Sequence, residues 1–309
     1  MGGTTPSRRD LLTAAAAAAT GLAFGPGHLA AQVRSPLLRT IPSSGERIPV
    51  VGMGSWITFN VGRDSALRDE CAAVMQAFFA AGGRLIDSSP MYGSSQDTIG
   101  YGLQKLGRPQ ALFAAEKVWI SWGAKGQEQV EVSRGKWGVP RFDLLQVHNL
   151  LAWESHLPML FEMKQRGNLR YVGITTSEGR RHDDIERVMR AHPLDFVQVS
   201  YSIRAREIEE RILPLARDRG IAVICNRPFE QGELVRWLTR QPLPAMARDI
   251  GARTWAQFVL MYVISHPVVT CAIPATSQVT HVRENLEAAT GMLPDQAFRE
   301  RMARHVAGL

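Results

Sequence analysis

Eight short apolar runs recur along this chain with helix-period segments between them, and few folds can use such a pattern. The runs occupy 50–54, a stretch ending at Asp87, and then 112–117, 143–148, 171–175, 196–200, 221–225 and 269–273. Runs this short read as buried strands, and helical connections between them bring successive strands back parallel. Eight such units are the number that closes a parallel sheet on itself. The expected fold class is therefore α/β, a (β/α)8 TIM barrel. Upstream, Ser43-Ser44-Gly45-Glu46 separates two short apolar stretches within 37–51, a hairpin signal. This N-terminal β-hairpin is expected to cap the barrel bottom. A length of 309 residues suits one barrel after a leader.

Three consecutive runs end in chemically useful residues. Leu85-Ile86-Asp87 opens into Ser88-Ser89-Pro90-Met91-Tyr92-Gly93, Leu112 to Lys117 ends in an amine, and Leu144-Leu145-Gln146-Val147-His148 ends in an imidazole. In a barrel the C-terminal ends of neighbouring strands share one mouth, so Asp87, Tyr92, Lys117 and His148 should converge. A free phenol titrates near 10, too high for an efficient reversible proton donor. An ammonium at about 4 Å, with an effective dielectric of about 20, attracts a tyrosinate by on the order of 4 kcal/mol, or up to roughly three pKa units. Lys117 is thus expected to bring Tyr92 down towards neutrality.

With these four positions, their strand context and their spacing, the chain resembles the aldo-keto reductase superfamily from about Arg39 to its end. The resemblance implies an NAD(P)H-dependent oxidoreductase that reduces the carbonyl of a small aldehyde or ketone, reversibly. Tyr92 would be the general acid/base, Lys117 its activator, Asp87 the orienter of Lys117, and His148 the group that polarises the carbonyl. No side chain donates hydride, so a nicotinamide must be held. No Gly-x-Gly-x-x-Gly follows a strand, and a Rossmann-type site is not indicated. The family pattern instead places Thr175 and Thr176 where a Ser-Asn pair holds the carboxamide, with Gln198 joining them. Asn226 falls where many relatives place a stacking aromatic. Arg227, Pro228 and Phe229 form the loop that follows the pyrophosphate, and Thr276, Ser277, Glu284 and Asn285 match the adenosine end. Strongly NADP-preferring members carry Lys and Arg where this chain has Ala275 and His281, so NADP is expected over NAD by a narrowed margin. Trp56, Phe59 and Trp119 are candidates for the substrate pocket.

A rival function is a cofactor-bound redox-sensing or regulatory barrel with little turnover, kept alive by the unusual Asn226-Arg227 loop. A hydrolase or isomerase without nicotinamide predicts a metal cluster or paired carboxylates at the strand ends, and neither pattern is visible in the sequence. No metal is expected. The formal charge is +7, yet no Lys/Arg block, zinc spacing or aromatic RNA-binding signature accompanies it, which argues against nucleic acid and for an anionic cofactor. Cys71, Cys225 and Cys271 sit singly in apolar periodic stretches and read as packed thiols.

Ser7-Arg8-Arg9-Asp10-Leu11-Leu12, an alanine-rich run and Gly25-Pro26-Gly27 resemble a twin-arginine signal peptide. The expected organisation is a leader at 1–31 and a barrel domain at 32–309. The Tat export machinery would be the leader's partner and the periplasm the destination, with the cytoplasm as the location if the leader does not function. A cofactor loaded before export fits a route that carries folded protein. In the barrel region, Gln129 to Trp137 is expected to be a distorted helix, because Gly135 sits inside it and Arg134 and Trp137 stand where relatives usually carry Leu.

Overall fold

The computed structural model describes residues 35–309, so the expected leader lies outside the described residues. Strands β1 (Leu38–Thr40) and β2 (Arg47–Pro49) pair antiparallel as a hairpin. Eight parallel strands follow: β3 (Met53–Gly54), β4 (Leu85–Asp87), β5 (Phe113–Val118), β6 (Phe142–Val147), β7 (Leu169–Thr175), β8 (Phe196–Ser200), β9 (Ala222–Asn226) and β10 (Val269–Ala272). Each pairs with the next in chain order. The ring closes where Gly52 N donates to Ala272 O at 2.8 Å and Ala272 N donates to Val50 O at 2.9 Å. The barrel expected from the sequence is present. Its first strand is shorter than 50–54, because only Met53–Gly54 forms a ladder and Val51 makes an isolated bridge to Ala272. Closure requires a bare backbone here: a Cβ on Gly52 would lie 2.9 Å from Leu85 O.

The period-two alternation of the strands sorts their side chains into two cores. Leu85, Phe113, Leu144, Tyr171, Phe196, Ile224 and Cys271 form an inner cluster, joined by Ile41 and Ile48 of the hairpin. Ile86, Ala114, Leu145, Val172, Val197 and Val223 belong to the other, larger cluster, packed against the helices. The hairpin therefore plugs the bottom of the barrel with two isoleucines. A polar clamp fixes it there: Glu46 accepts from Arg84 at 3.2 Å and from the Tyr171 hydroxyl at 2.8 Å, and it also pairs with Arg170.

Helices alternate with the strands: α1 (Ser65–Ala80), α2 (Ser95–Lys105), α3 (Gly126–Trp137), α4 (Trp153–Gln165), α5 (His182–Ala191) and α6 (Ile212–Arg219). After β9 come α7 (Glu233–Leu238) and α8 (Trp255–Ser265), and after β10 come α9 (Val279–Glu287) and α10 (Gln296–Ala307). Asp64 starts α1 by accepting from Leu67 N at 3.0 Å. The expected distortion of α3 is not found. It runs unbroken from Gly126 to Trp137 and ends on Gly138 in the left-handed region. Gly135 is exposed with open space around it, so it weakens the helix without bending it. Trp137 is buried rather than misplaced, and α3 comes so close to α2 that a Cβ on Gly100 would fall 1.9 Å from Lys136 O. Cys71, Cys225 and Cys271 are buried free thiols, as expected.

Because Ile48 is fully buried in the plug, Ile48→Ala is expected to cost about 2–5 kcal/mol in urea unfolding. Binding at the opposite end of the barrel should survive, and an unchanged unfolding midpoint would show that the hairpin is not a structural plug.

Candidate active site

The four expected side chains reach one place from three separate segments. Asp87 is the last residue of β4, Lys117 the last but one of β5, His148 the first residue beyond β6, and Tyr92 sits in the loop after β4. Lys117 and Asp87 form an ion pair with the Lys side chain fully buried and the Asp side chain 2% exposed. The Lys117 ammonium also donates to Ser88 O at 2.7 Å, and it stands 5.1 Å from the centre of the Tyr92 ring. Asp87 is held from its other side, Oδ1 accepting from Gln198 Nε2 at 2.9 Å and from Gln146 Nε2 at 3.2 Å. The Tyr92 and His148 rings meet edge to face, centres 5.6 Å apart.

Burial sets the charge states. Loss of water is the largest influence and works against the Lys117 charge, yet the attraction of Asp87, joined by Tyr92 and Glu116, outweighs it and holds the amine above its ordinary range. For His148, burial and then the Lys117 charge push the imidazole down to about 2, so the ring is uncharged at any working pH. The expectation that Lys117 brings Tyr92 down towards neutrality needs correction. Burial of the phenol raises it more than the ammonium lowers it, and the Asp87 charge adds to the rise. Tyr92 therefore rests in the protonated form, ready to give a proton, with Lys117 beside it to stabilise the anion left behind.

These groups open onto a cavity of about 780 Å³, lined by Asp87, Tyr92 and His148 and extending to Thr276, Glu284 and Asn285. Thr175, Gln198, Asn226, Arg227, Pro228 and Phe229 line it between those ends. Asn226 is bound into the wall: Nδ2 donates to Thr176 O at 3.0 Å and to Gln198 Oε1 at 3.3 Å, and Oδ1 accepts from Ser200 at 2.6 Å. Two expected cofactor residues do not face the cavity. The Thr176 hydroxyl donates to Arg180 O at 2.8 Å, because successive residues at a strand end point to opposite sides. Ser277 is exposed and lies off the cavity wall. Arg227 reaches across the mouth, its charge 5.1 Å from the Trp56 ring and paired with Glu178 at 2.6 Å.

Of the three aromatic candidates only Trp56 lines the cavity. Phe59 is fully buried in the helix-side core, and Trp119 is 39% exposed and away from the cavity, its backbone paired with Gln129. Each lies at a strand end, but position along the chain does not say which way a ring turns. Ile57, Met91, Val235 and Trp255 line the cavity instead, and nothing in the sequence separated them from other apolar loop residues. Nine of the ten non-glycine residues with positive φ, Arg108 being the exception, lie in loops after barrel strands, so backbone strain concentrates at this end.

The cavity suits a dinucleotide. It is lined by the uncharged His148 and the protonated Tyr92 and carries the cationic side chains of Arg180, Arg227 and Arg236 on its wall for an anionic group. Among the described residues no cluster of His, Cys, Asp and Glu is arranged to hold a metal ion.

Behind the site lies a second buried carboxylate that the sequence reading missed. Glu116 is fully buried, with Oε2 accepting from Gln96 at 2.9 Å and from the Trp137 indole at 2.8 Å, and Oε1 accepting from Lys117 N at 2.8 Å. The signal for it was available: an acidic residue at the helix-facing register of a buried strand, and an unexpected Trp in the facing helix.

Residues 50–303 match the model of the Aldo/keto reductase family. The chain is 29% identical over 244 residues to a protein of Escherichia coli (strain K12) named NADH-specific methylglyoxal reductase, covering 67% of this chain and 71% of that one. Methylglyoxal reductase YeaE of the same organism is 28% identical over 249 residues, 77% of this chain and 84% of that one. The fold superposes on the crystal structure of an aldo-keto reductase from Klebsiella pneumoniae in complex with NADPH, with a TM-score of 0.72, 21% identity, and coverage of 88% of this chain and 95% of that one.

Burial lifts the Glu116 carboxyl from 4.5 to about 7. The folded protein thus keeps a proton that the unfolded chain gives up, and stability falls as pH rises through that window, by roughly 3 kcal/mol for this group. Glu116→Gln is expected to remove this fall, so the difference in unfolding free energy between the two proteins should change by that amount between about pH 4.5 and 7. Parallel pH profiles would contradict it.

Proposed function

The chain belongs to the Aldo/keto reductase family, and from that premise we propose how its site works, what it binds and where it acts. It is an NAD(P)H-dependent oxidoreductase that reduces the carbonyl of a small aldehyde or ketone. The observation that carries the reading is the buried Asp87–Lys117 pair set against Tyr92 beside a cavity that also receives His148. A bound dihydronicotinamide supplies the hydride. As negative charge grows on the carbonyl oxygen, the Tyr92 phenol gives up its proton to it. The tyrosinate that forms is stabilised by Lys117, whose own charge is held by Asp87. His148 orients the oxygen from the other side. Trp56, Ile57 and Met91 form the apolar part of the wall beside the reacting centre.

For the cofactor, the reading is Thr175, Gln198 and Asn226 at the carboxamide, Arg227 to Phe229 along the pyrophosphate, and Thr276, Glu284 and Asn285 at the adenosine end. NADP(H) is the preferred partner by a narrow margin. Arg180 and Arg236 on the cavity wall support an extra phosphate, while Ala275 and the exposed His281 weaken the case. Methylglyoxal, the substrate named for two relatives, is the first carbonyl to test. A regulatory barrel with little turnover is less well supported, since the complete proton-transfer set is assembled at the cavity. The leader at 1–31 is proposed to direct the barrel domain at 32–309 to the periplasm through the twin-arginine export machinery; the paired Arg8 and Arg9 before Leu11 and Leu12 support it.

Tyr92→Phe is expected to lower kcat for methylglyoxal by about 10²–10⁴-fold while the fluorescence titration with NADPH is unchanged, and near-normal turnover would remove the mechanism. Arg227→Ala should weaken NADPH and NADH alike by roughly tenfold or more, since one charged contact is lost. Equal affinities in the variant and the parent protein would take Arg227 out of the cofactor site.

A further inference from the structure

The segment from Asp87 to Tyr92 addresses every member of the site. Asp87 and Ser88 O hold Lys117, and Ser89 O accepts the Tyr92 N–H at 3.0 Å. The Ser89 hydroxyl lies 2.7 Å from His148 Nδ1. An uncharged imidazole carries its proton on one nitrogen and a lone pair on the other, and the partner at Nδ1 decides which.

Ser89 is fully buried, and its hydroxyl has two partners. One is the backbone N–H of Met91 at 3.2 Å, which can only donate. The other is His148 Nδ1. If Nδ1 carried the ring proton, it would donate to Ser89, and the Ser89 hydroxyl proton would face no acceptor, an arrangement buried hydroxyls rarely tolerate. If Ser89 donates to Nδ1, every group is matched. The Met91 N–H donates to Ser89 Oγ, the Ser89 hydroxyl donates to Nδ1, and the ring proton is left on Nε2. Among the described residues His148 Nε2 has no hydrogen-bond partner, and the ring lines the cavity.

We propose that Ser89 is a positioning residue that fixes His148 as the Nε2–H tautomer, so that the ring meets a substrate's carbonyl oxygen with a donor rather than a lone pair. Naming that oxygen rests on the carbonyl-reductase reading, but the tautomer does not. A carbonyl oxygen offers only lone pairs, so the other tautomer would repel it at the point where charge must grow. The second serine of the Asp87-Ser88-Ser89 run thus has a chemical task that a residue of the same size without a hydroxyl cannot perform.

The test is the long-range proton–nitrogen spectrum of the cofactor-free protein labelled with ¹⁵N-histidine, the His148 signals being identified among the eight histidines by their loss in H148N. The expected wild-type result is a pyrrole-type Nε2 and a pyridine-type Nδ1. A pyrrole-type Nδ1 overturns the proposal without any variant being made. In Ser89→Ala the two nitrogens should move towards averaged positions, and kcat for methylglyoxal should fall by roughly ten- to a hundredfold with NADPH affinity unchanged. A Ser89→Ala protein with the wild-type spectrum, or with a shifted spectrum and full kcat, overturns it as well. Should wild type reduce no carbonyl at all yet show the Nε2–H tautomer, the functional reading fails and the tautomer assignment stands.

Discussion

The site depends on one buried ion pair, Lys117 with Asp87, closed off from solvent at the floor of the barrel mouth. Removing two charges from water is costly, and such a pair persists only when its remaining hydrogen-bonding capacity is used. Here it is used. Ser88 O takes a second ammonium proton, and Gln198 and Gln146 fill the free side of the carboxylate. The pair and its partners come from β4, β5, β6 and β8 and the loop after β4, so the pair forms only when these strands have assembled. Function is thereby tied to the fold: a chain that has not paired its strands in register has no stabilised ammonium to set beside Tyr92.

Burial of the pair and its surroundings divides the labour among its neighbours. The same burial that keeps His148 uncharged keeps Tyr92 protonated, and the two groups meet a carbonyl as donors without any charge that must first be discharged. Burial also has effects of opposite sign on stability. Glu116 resists ionisation as pH rises, whereas His148 resists protonation as pH falls, so the folded state is pressed from both sides by groups a few residues from the reacting centre. The Gln96–Glu116–Trp137 contacts show that this tension is built into the wall behind Lys117, where α2 and α3 pack together.

The loops over the mouth carry strain of a different kind. Glu178, Arg227, Glu230 and Gln231 all adopt positive φ, and the Glu178–Arg227 pair lies on the cavity wall. A charge already committed to an internal partner must be released before it can serve a ligand, so any anion that draws on Arg227 competes with Glu178.

Much of this was legible in the sequence because it follows from periodicity. Eight apolar runs with helices between them imply a closed parallel sheet, and the rule that strand ends share a mouth brings Asp87, Lys117 and His148 together from residue numbers alone. What periodicity does not carry is side-chain direction in irregular backbone. Phe59 turned into the core, Trp119 turned away from the cavity, and Thr176 satisfied its hydroxyl within its own loop. The helix expected to be distorted was regular, because its odd residue, Trp137, answers a buried carboxylate on a strand that only the fold sets opposite it. The sequence by itself determined the barrel and the identity of the groups at its mouth, since both rest on local pattern. The tertiary structure decided their charge states and which of them face the cavity, since desolvation and hydrogen-bond partners exist only once distant segments have packed.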